Sequence, residues 1–203
     1  MYRRMLHRRY QRQRLTVLML VLALLVGLTW LALRYHHEVY AYFMRPRAYD
    51  KQIREAARRH GLDPALLKAV VWRESRFNPN ARGGHGEIGL MQIRAENGAA
   101  ADYWNLIRRQ PLPPRAVLYH PAHNLEIGAW YLARAMRRWR EHRDQVALAL
   151  SEYNAGPGGM RDWLPKNKDD EIQSRITIAS TRDYVTAIIN QYHEYCLHRE
   201  AEE

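Results

Sequence analysis

Cysteine is almost missing from this chain. A single residue, Cys196, among 203 excludes an intramolecular disulfide framework and any cysteine-based zinc cluster. Strand-like alternation of apolar and polar residues is scarce, and the sequence has no internal repeat and no low-complexity tract. Acidic residues are absent from the first fourteen positions, where Arg3, Arg4, Arg8, Arg9, Arg12 and Arg14 crowd together. The formal net charge of +11 is therefore largely a tail, and the chain without those arginines carries +5. That location argues against a nucleic-acid partner, because anionic lipid beside a membrane span satisfies the same charge. With 47% hydrophobic and 26% charged residues, the chain is neither disordered nor wholly embedded in a membrane. Its length accommodates one membrane segment and one domain of about 150 residues with a real core.

Charged side chains are also absent from residues 15–33. About twenty such residues cross the hydrocarbon core as a helix, and few soluble helices are apolar on every side over this length. A cleaved secretory signal is the alternative, since it too starts basic and turns apolar. Its apolar stretch is normally shorter, however, and the residues after Gly27 offer no good small-x-small cleavage site. The expectation is a basic cytoplasmic tail (1–14), a transmembrane helix (15–33) and a stalk (34–49) ending near Pro46. Arginines before the span keep that end in the cytoplasm. The chain then reads as a single-pass inner (cytoplasmic) membrane protein, in contact with membrane lipid, whose bulk lies in the periplasm. Trp30, Tyr35, Tyr40 and Tyr42 suit the outer interface.

Beyond the stalk the pattern is helical, giving a mainly α domain over 50–198. Asp50 is placed to cap a helix that stops at Gly61. Asp63-Pro64, a cap followed by a first-turn proline, starts a second helix, and Asn78-Pro79 follows its end. A glycine-rich loop covers 81–89, a helix is expected over 99–108, and the prolines of 111–114 break the chain. Asn124, Asp144 and Thr181 are expected caps of three more helices, the middle one ended by Gly156-Pro157-Gly158-Gly159. A small hairpin is possible within 160–180. His120 and His123 stand at metal-ligand spacing without a third ligand, so a solvated loop is the simpler reading.

One acid stands out. Glu74 follows Leu67 by seven residues, Val70 by four and Val71 by three, which puts its carboxyl on the apolar face of the second helix. Burial without a cation favours the protonated form, and a carboxyl protonated near neutrality is what general-acid cleavage of a glycosidic bond needs. Taken alone, a helix-end glutamate paired with Arg73 or Arg76 explains the same residue more simply.

Four further elements stand in register with it. Glu74-Ser75 is followed by Asn78-Pro79, then by Gly89-Leu90-Met91-Gln92. Asn124-Leu125 runs through Gly128 to Tyr131-Leu132, Tyr153-Asn154-Ala155-Gly156 forms a turn, and Thr181-Arg182 precedes Tyr184-Val185. Over about residues 50–195 the sequence resembles the soluble-lytic-transglycosylase type of lytic transglycosylase domain, in the lysozyme-like superfamily. The resemblance implies a lysozyme-like helical domain with a sugar-binding groove, acting on the glycan strands of peptidoglycan without metal or cofactor. It also implies roles: Glu74 as the single catalytic acid/base, with Ser75, Met91, Gln92, Tyr153 and Asn154 on the substrate side. Met91 reads equally well as core, and Asn124 as a helix cap. Tyr153 is a probe of the same centre, since its hydroxyl needs a partner and Glu74 is the candidate.

The implied chemistry is cleavage of the β-1,4 bond between N-acetylmuramic acid and N-acetylglucosamine. Glu74 protonates the linking oxygen, and the substrate's acetamido group stabilises the anomeric carbon. The resulting carboxylate then takes the proton of the sugar's own 6-hydroxyl, closing a 1,6-anhydro ring without water. Three positions depart from the family pattern: Gly83 replaces a serine, Arg94 a methionine and Ser180 a glutamate. Two other classes stay open. One is a hydrolase like the goose-type lysozymes, which carry an aspartate where Arg94 stands and would here need Glu87 to orient water. The other is a wall-binding anchor without catalysis, against which the intact Glu74-Ser75 argues.

Overall fold

The computed structural model describes residues 13–31, 34, 47–96, 98–109 and 115–200. The basic tail up to residue 12, the last two positions of the expected span, most of the stalk and the prolines of 111–114 lie outside the described residues. Two compact units divide the chain, residues 1–44 and 45–203. In the first, α1 (Gln13–Leu31) is a 19-residue helix whose mean hydropathy of 2.2 and length suit a membrane crossing, with none of its surface buried. Leu18, Leu22 and Leu25 are among its exposed side chains. Thr29 folds its hydroxyl back to Leu25 O at 2.8 Å, which satisfies the one hydroxyl near its end.

The second unit is helical, as expected: α2 (Asp50–His60), α3 (Pro64–Ser75), α4 (Ala99–Tyr103), α5 (Pro121–Arg138), α6 (Gln145–Gly159) and α7 (Ala179–Glu200). The α2 helix stops at Gly61, which takes the left-handed conformation and closes the helix through its N–H. Asp63 caps α3, accepting from Ala65 N at 2.7 Å ahead of Pro64. Ala65, Leu66, Leu67, Ala69, Val70 and Val71 make α3 a core helix, packed mainly on α7, while α5 packs on α6 and α2. A π-helical turn, Trp104–Arg108, continues α4, covering the helix expected over 99–108. In α6 the helical conformation breaks at Gly156 (φ 71°, ψ 164°) before Pro157. This follows the steric rule that the residue before proline is pushed to extended ψ.

Four local expectations are corrected. Asp50 is the first residue of α2 and pairs with Lys68 at 2.7 Å instead of capping. Asp144 holds the cap position of α6, but its carboxylate accepts from Ile172 N at 2.8 Å, tying down the 160–180 loop. Thr181 lies inside α7, which starts at Ala179. The hairpin is formed not in 160–180, which carries two short 3-10 turns, but by β1 (Glu87–Ile88) and β2 (Ile93–Arg94). Its antiparallel register sets Glu87 opposite Arg94 and Ile88 opposite Ile93. Two residues per strand are too few for alternation to show in a sequence.

Candidate active site

The core of α3 delivers Glu74 to the helix end, one residue before the chain turns away. That turn is unusual. Arg76 (φ 51°) and Phe77 (φ 59°) are consecutive left-handed residues, and Gln92 (φ 48°) is a third. Each costs about 1–3 kcal/mol and persists only where surrounding structure over-determines it. Phe77 is 1% exposed, so its ring anchors the turn in the core. Three of the four left-handed non-glycine residues among those described lie in the segments that follow Glu74 and carry Gln92.

Glu74 is partly buried and accepts a 2.5 Å hydrogen bond at Oε1 from the hydroxyl of Tyr184 on α7. Burial pushes its carboxyl up to about 7, against the Tyr184 hydrogen bond and the nearby Arg73 charge, which lower it, and with a further upward push from Glu87. Tyr184 is itself buried. Burial and the negative field of Glu74 hold its phenol well above its ordinary value, so it donates its proton in hydrogen bonds and does not lose it. Sequence reasoning placed Tyr184 in a matching motif without giving it a partner.

Most of the remaining motif residues hold one segment, residues 88–92, from three sides. From α3, Ser75 Oγ donates to Leu90 O at 2.8 Å. From α6, Tyr153 donates its hydroxyl to Met91 O at 2.9 Å, and not to Glu74 as expected. Its electrostatic neighbours are Glu74 and Tyr131, and the Tyr131 ring lies edge-on at 5.6 Å. From α5, Asn124 is fully buried. Its side chain accepts from Met91 N at 2.8 Å and donates to Ile88 O at 2.8 Å and Leu118 O at 2.9 Å. It is thus no cap: α5 begins three residues earlier at Pro121, and Asn124 replaces missing ladder partners for a loop that crosses the core.

Met91 is fully buried, so its side chain does not face substrate. It packs where α5 has Gly128, and a Cβ there would sit 2.3 Å from Met91 Sδ and 2.8 Å from its Cβ. The methionine and the glycine are one packing pair. Gln92 is half-buried, bonded through Nε2 to Gly89 O at 3.0 Å. Asn154 is exposed, with Oδ1 accepting from the buried Thr181 hydroxyl at 2.8 Å. That bond is the work of the residue read as a cap.

A second carboxylate stands near the first, which sequence reasoning raised only as a rival base. A Cβ at Gly83 would lie 2.3 Å from Glu87 Oε2 and 2.8 Å from Gln92 Oε1. The Glu87 carboxylate therefore occupies the space that a side chain at position 83 would take. Its burial, slight as it is, pushes the carboxyl up, but backbone N–H groups including that of His85 (2.9 Å), and the charges of His85 and Arg94, outweigh this and hold it below its usual value. Two neighbouring carboxyl groups are pushed apart in acidity, a pattern that separates a proton donor from a permanent anion.

A lysozyme-like helical domain with one buried carboxyl at a helix end, pushed up to about 7, defines the class. A family model for the transglycosylase SLT domain matches residues 51–176, and the chain belongs to this family. Among relatives, the membrane-bound lytic murein transglycosylase C of Klebsiella pneumoniae is 31% identical over 140 residues, covering 67% of this chain and 38% of that protein. The Haemophilus influenzae protein of the same name is 31% identical over 133 residues, covering 64% and 37%. Among solved structures, an inactive mutant of lytic transglycosylase Slt from Pseudomonas aeruginosa superposes with a TM-score of 0.66 at 25% identity, covering 83% of this chain and 30% of that one. The complex of a 70-kDa soluble lytic transglycosylase with bulgecin A gives 0.65 at 25% identity, covering 75% and 25%. The chain thus spans about 38% of the length of the first of these relatives.

Proposed function

We propose that this protein is a peptidoglycan lytic transglycosylase. In this reading it cleaves the bond between N-acetylmuramic acid and N-acetylglucosamine, with Glu74 as acid and then base, and leaves 1,6-anhydro-N-acetylmuramic acid ends. The observation that carries it is Glu74 itself: a carboxyl at about 7, with Oε1 fixed at 2.5 Å by Tyr184, on the scaffold of a transglycosylase family. A group half-protonated at neutrality serves both directions of proton transfer. The 6-hydroxyl of the bound sugar is tethered beside the anomeric carbon and gains the effective concentration of an intramolecular nucleophile. Gln92, Asn154 and the partly exposed Tyr153 and Tyr131 are the groups offered to sugar, and of these Tyr153 feels the charge of Glu74. The unit carrying α1 anchors the protein in the inner membrane, with the catalytic unit in the periplasm.

A hydrolytic reading has one observation in its favour, the ionised Glu87 near Glu74, because attack by water uses a second carboxylate. Digestion of purified wall in oxygen-18 water separates the two. Transglycosylation gives muropeptides one water lighter than the hydrolysed ones, with unlabelled new ends. Labelled reducing ends as the main product favour Glu87 and hydrolysis. Glu74→Gln keeps the shape and loses nearly all turnover under either route, and a Glu74→Gln protein that clears wall normally removes the assignment.

A further inference from the structure

Beside the hairpin lies a small cavity of about 150 Å³ lined by His85, Gly86, Arg94, Ala95, Glu96 and Arg115. Its walls are nearly all polar atoms, so it suits neither an acyl chain nor a ring face. Pockets that enclose whole small molecules run to roughly 300–1,000 Å³, so this one takes a single terminal group. Its lining residues bring two guanidinium groups and an imidazole against one carboxylate, that of Glu96. Arg115 uses one donor on Gly86 O at 3.3 Å, which leaves the rest of its five uncommitted among the described residues. Neither Arg94 nor Arg115 has a described carboxylate within salt-bridge distance. Glu87 opposes Arg94 across the ladder and feels its charge, but pairs at 3.9 Å only with His85. Guanidinium groups with open forks match a carboxylate in plane and spacing.

We propose that this cavity binds a carboxylate of the peptide stem carried by N-acetylmuramic acid, an inference that rests on the peptidoglycan reading above. The hairpin ties the cavity to the acid, since Glu87, the residue facing Arg94, is also the one whose charge reaches Glu74. Two or three extended residues reach roughly 7–11 Å, enough to leave a sugar beside Gln92 and enter a pocket two residues further along β2. Muramic acid offers two sources of carboxylate, its lactyl group and the stem. In intact wall the lactyl carboxyl is consumed as an amide, so the stem supplies the free one. Arg94 stands where the resembling family has methionine, so the pocket includes one of this chain's departures from the family pattern.

The test uses the full-length protein in detergent on two preparations, glycan strands bearing their peptides and the same strands stripped by an amidase. Arg94→Ala with Arg115→Ala is expected to lower kcat/KM on peptide-bearing strands about tenfold, mostly through KM, as loss of an exposed charge-assisted contact predicts. Stripped strands, which expose the lactyl carboxylate, are expected to be cleaved at the unaltered rate, and the paired lysine variant to fall between. No loss on either substrate, equal loss on both, or loss confined to stripped strands overturns the proposal. Co-sedimentation of the same strands with Glu74→Gln protein, with and without the paired alanines, separates the pocket from the activity. An arginine-dependent preference in binding without anhydro products from the wild type leaves the pocket standing and removes the transglycosylase reading. Anhydro products without that preference do the reverse.

Discussion

At the scale of single residues, the centre is a balance of four influences on one carboxyl. Burial raises Glu74, the Tyr184 hydroxyl and Arg73 lower it, and Glu87 raises it again, with the result near 7. The proposed reaction begins from the protonated form, so activity is expected to decline as pH rises through about 7. The two neighbours then move that limb in opposite directions. Glu87→Gln removes a like charge, makes ionisation of Glu74 easier, and shifts the limb to lower pH. Tyr184→Phe removes a donor that favours the anion and shifts it to higher pH. Initial rates on soluble glycan between pH 5 and 9 read both shifts, and displacement of both variants in the same direction sinks this account of Glu74. Glu74 itself was legible in the sequence, because its spacing from Leu67, Val70 and Val71 put a carboxyl on an apolar face. Tyr184 was not assigned to it, because a contact across 110 positions has no local pattern.

At the scale of elements, the family motifs turn out to be mostly carpentry around residues 88–92. Ser75, Asn124 and Tyr153 reach that segment from three helices, and Gly128 makes room for Met91. The elements are legible in the sequence because helix periodicity and caps are local signals, as Asp63 before Pro64 illustrates. Met91 stayed open between substrate and core, and Asn124 read as a cap, because a motif records which residues occur, not which way they face. Asn124→Ala is expected to leave Met91 N–H and the Ile88 and Leu118 carbonyls unpaired in the core. At about 1–3 kcal/mol for a buried unsatisfied group, the loss is roughly 3 kcal/mol or more, read as a lower denaturation midpoint. Activity should fall as well, although Asn124 never meets the sugar, because Gln92 rides on the same segment. Asn124→Asp should rescue little: it restores the acceptor for Met91 N–H but points an acid at two carbonyls. An alanine variant with wild-type midpoint and activity would show that the clamp is dispensable.

At the scale of the whole molecule, the two units pose different problems of solvent. Residues 45–203 bury a continuous core of aliphatic and aromatic side chains, whereas every apolar side chain described on α1 is exposed. Thirteen large apolar side chains facing water would cost on the order of a kilocalorie or more apiece, which supports the proposal that α1 lies in lipid, where its internal hydrogen bonds satisfy the backbone. The proposed direction follows from the six arginines before it, because basic flanks stay on the cytoplasmic side. The proposed substrate points the same way independently, since peptidoglycan lies outside the inner membrane. A reporter active only in the periplasm, fused after residue 45, is therefore expected to give signal, and a cytoplasm-only reporter at that position none. Replacing the six arginines with glutamine should weaken or scramble that outcome, because the charge asymmetry is then gone while α1 is unchanged. A retained anchor further requires that the mature protein keep its arginine-rich start and sediment with membranes after a carbonate wash. Sequencing the N-terminus from the membrane fraction reads this directly. A mature chain beginning downstream of α1 would show that the apolar helix serves export alone and that the catalytic unit works unanchored.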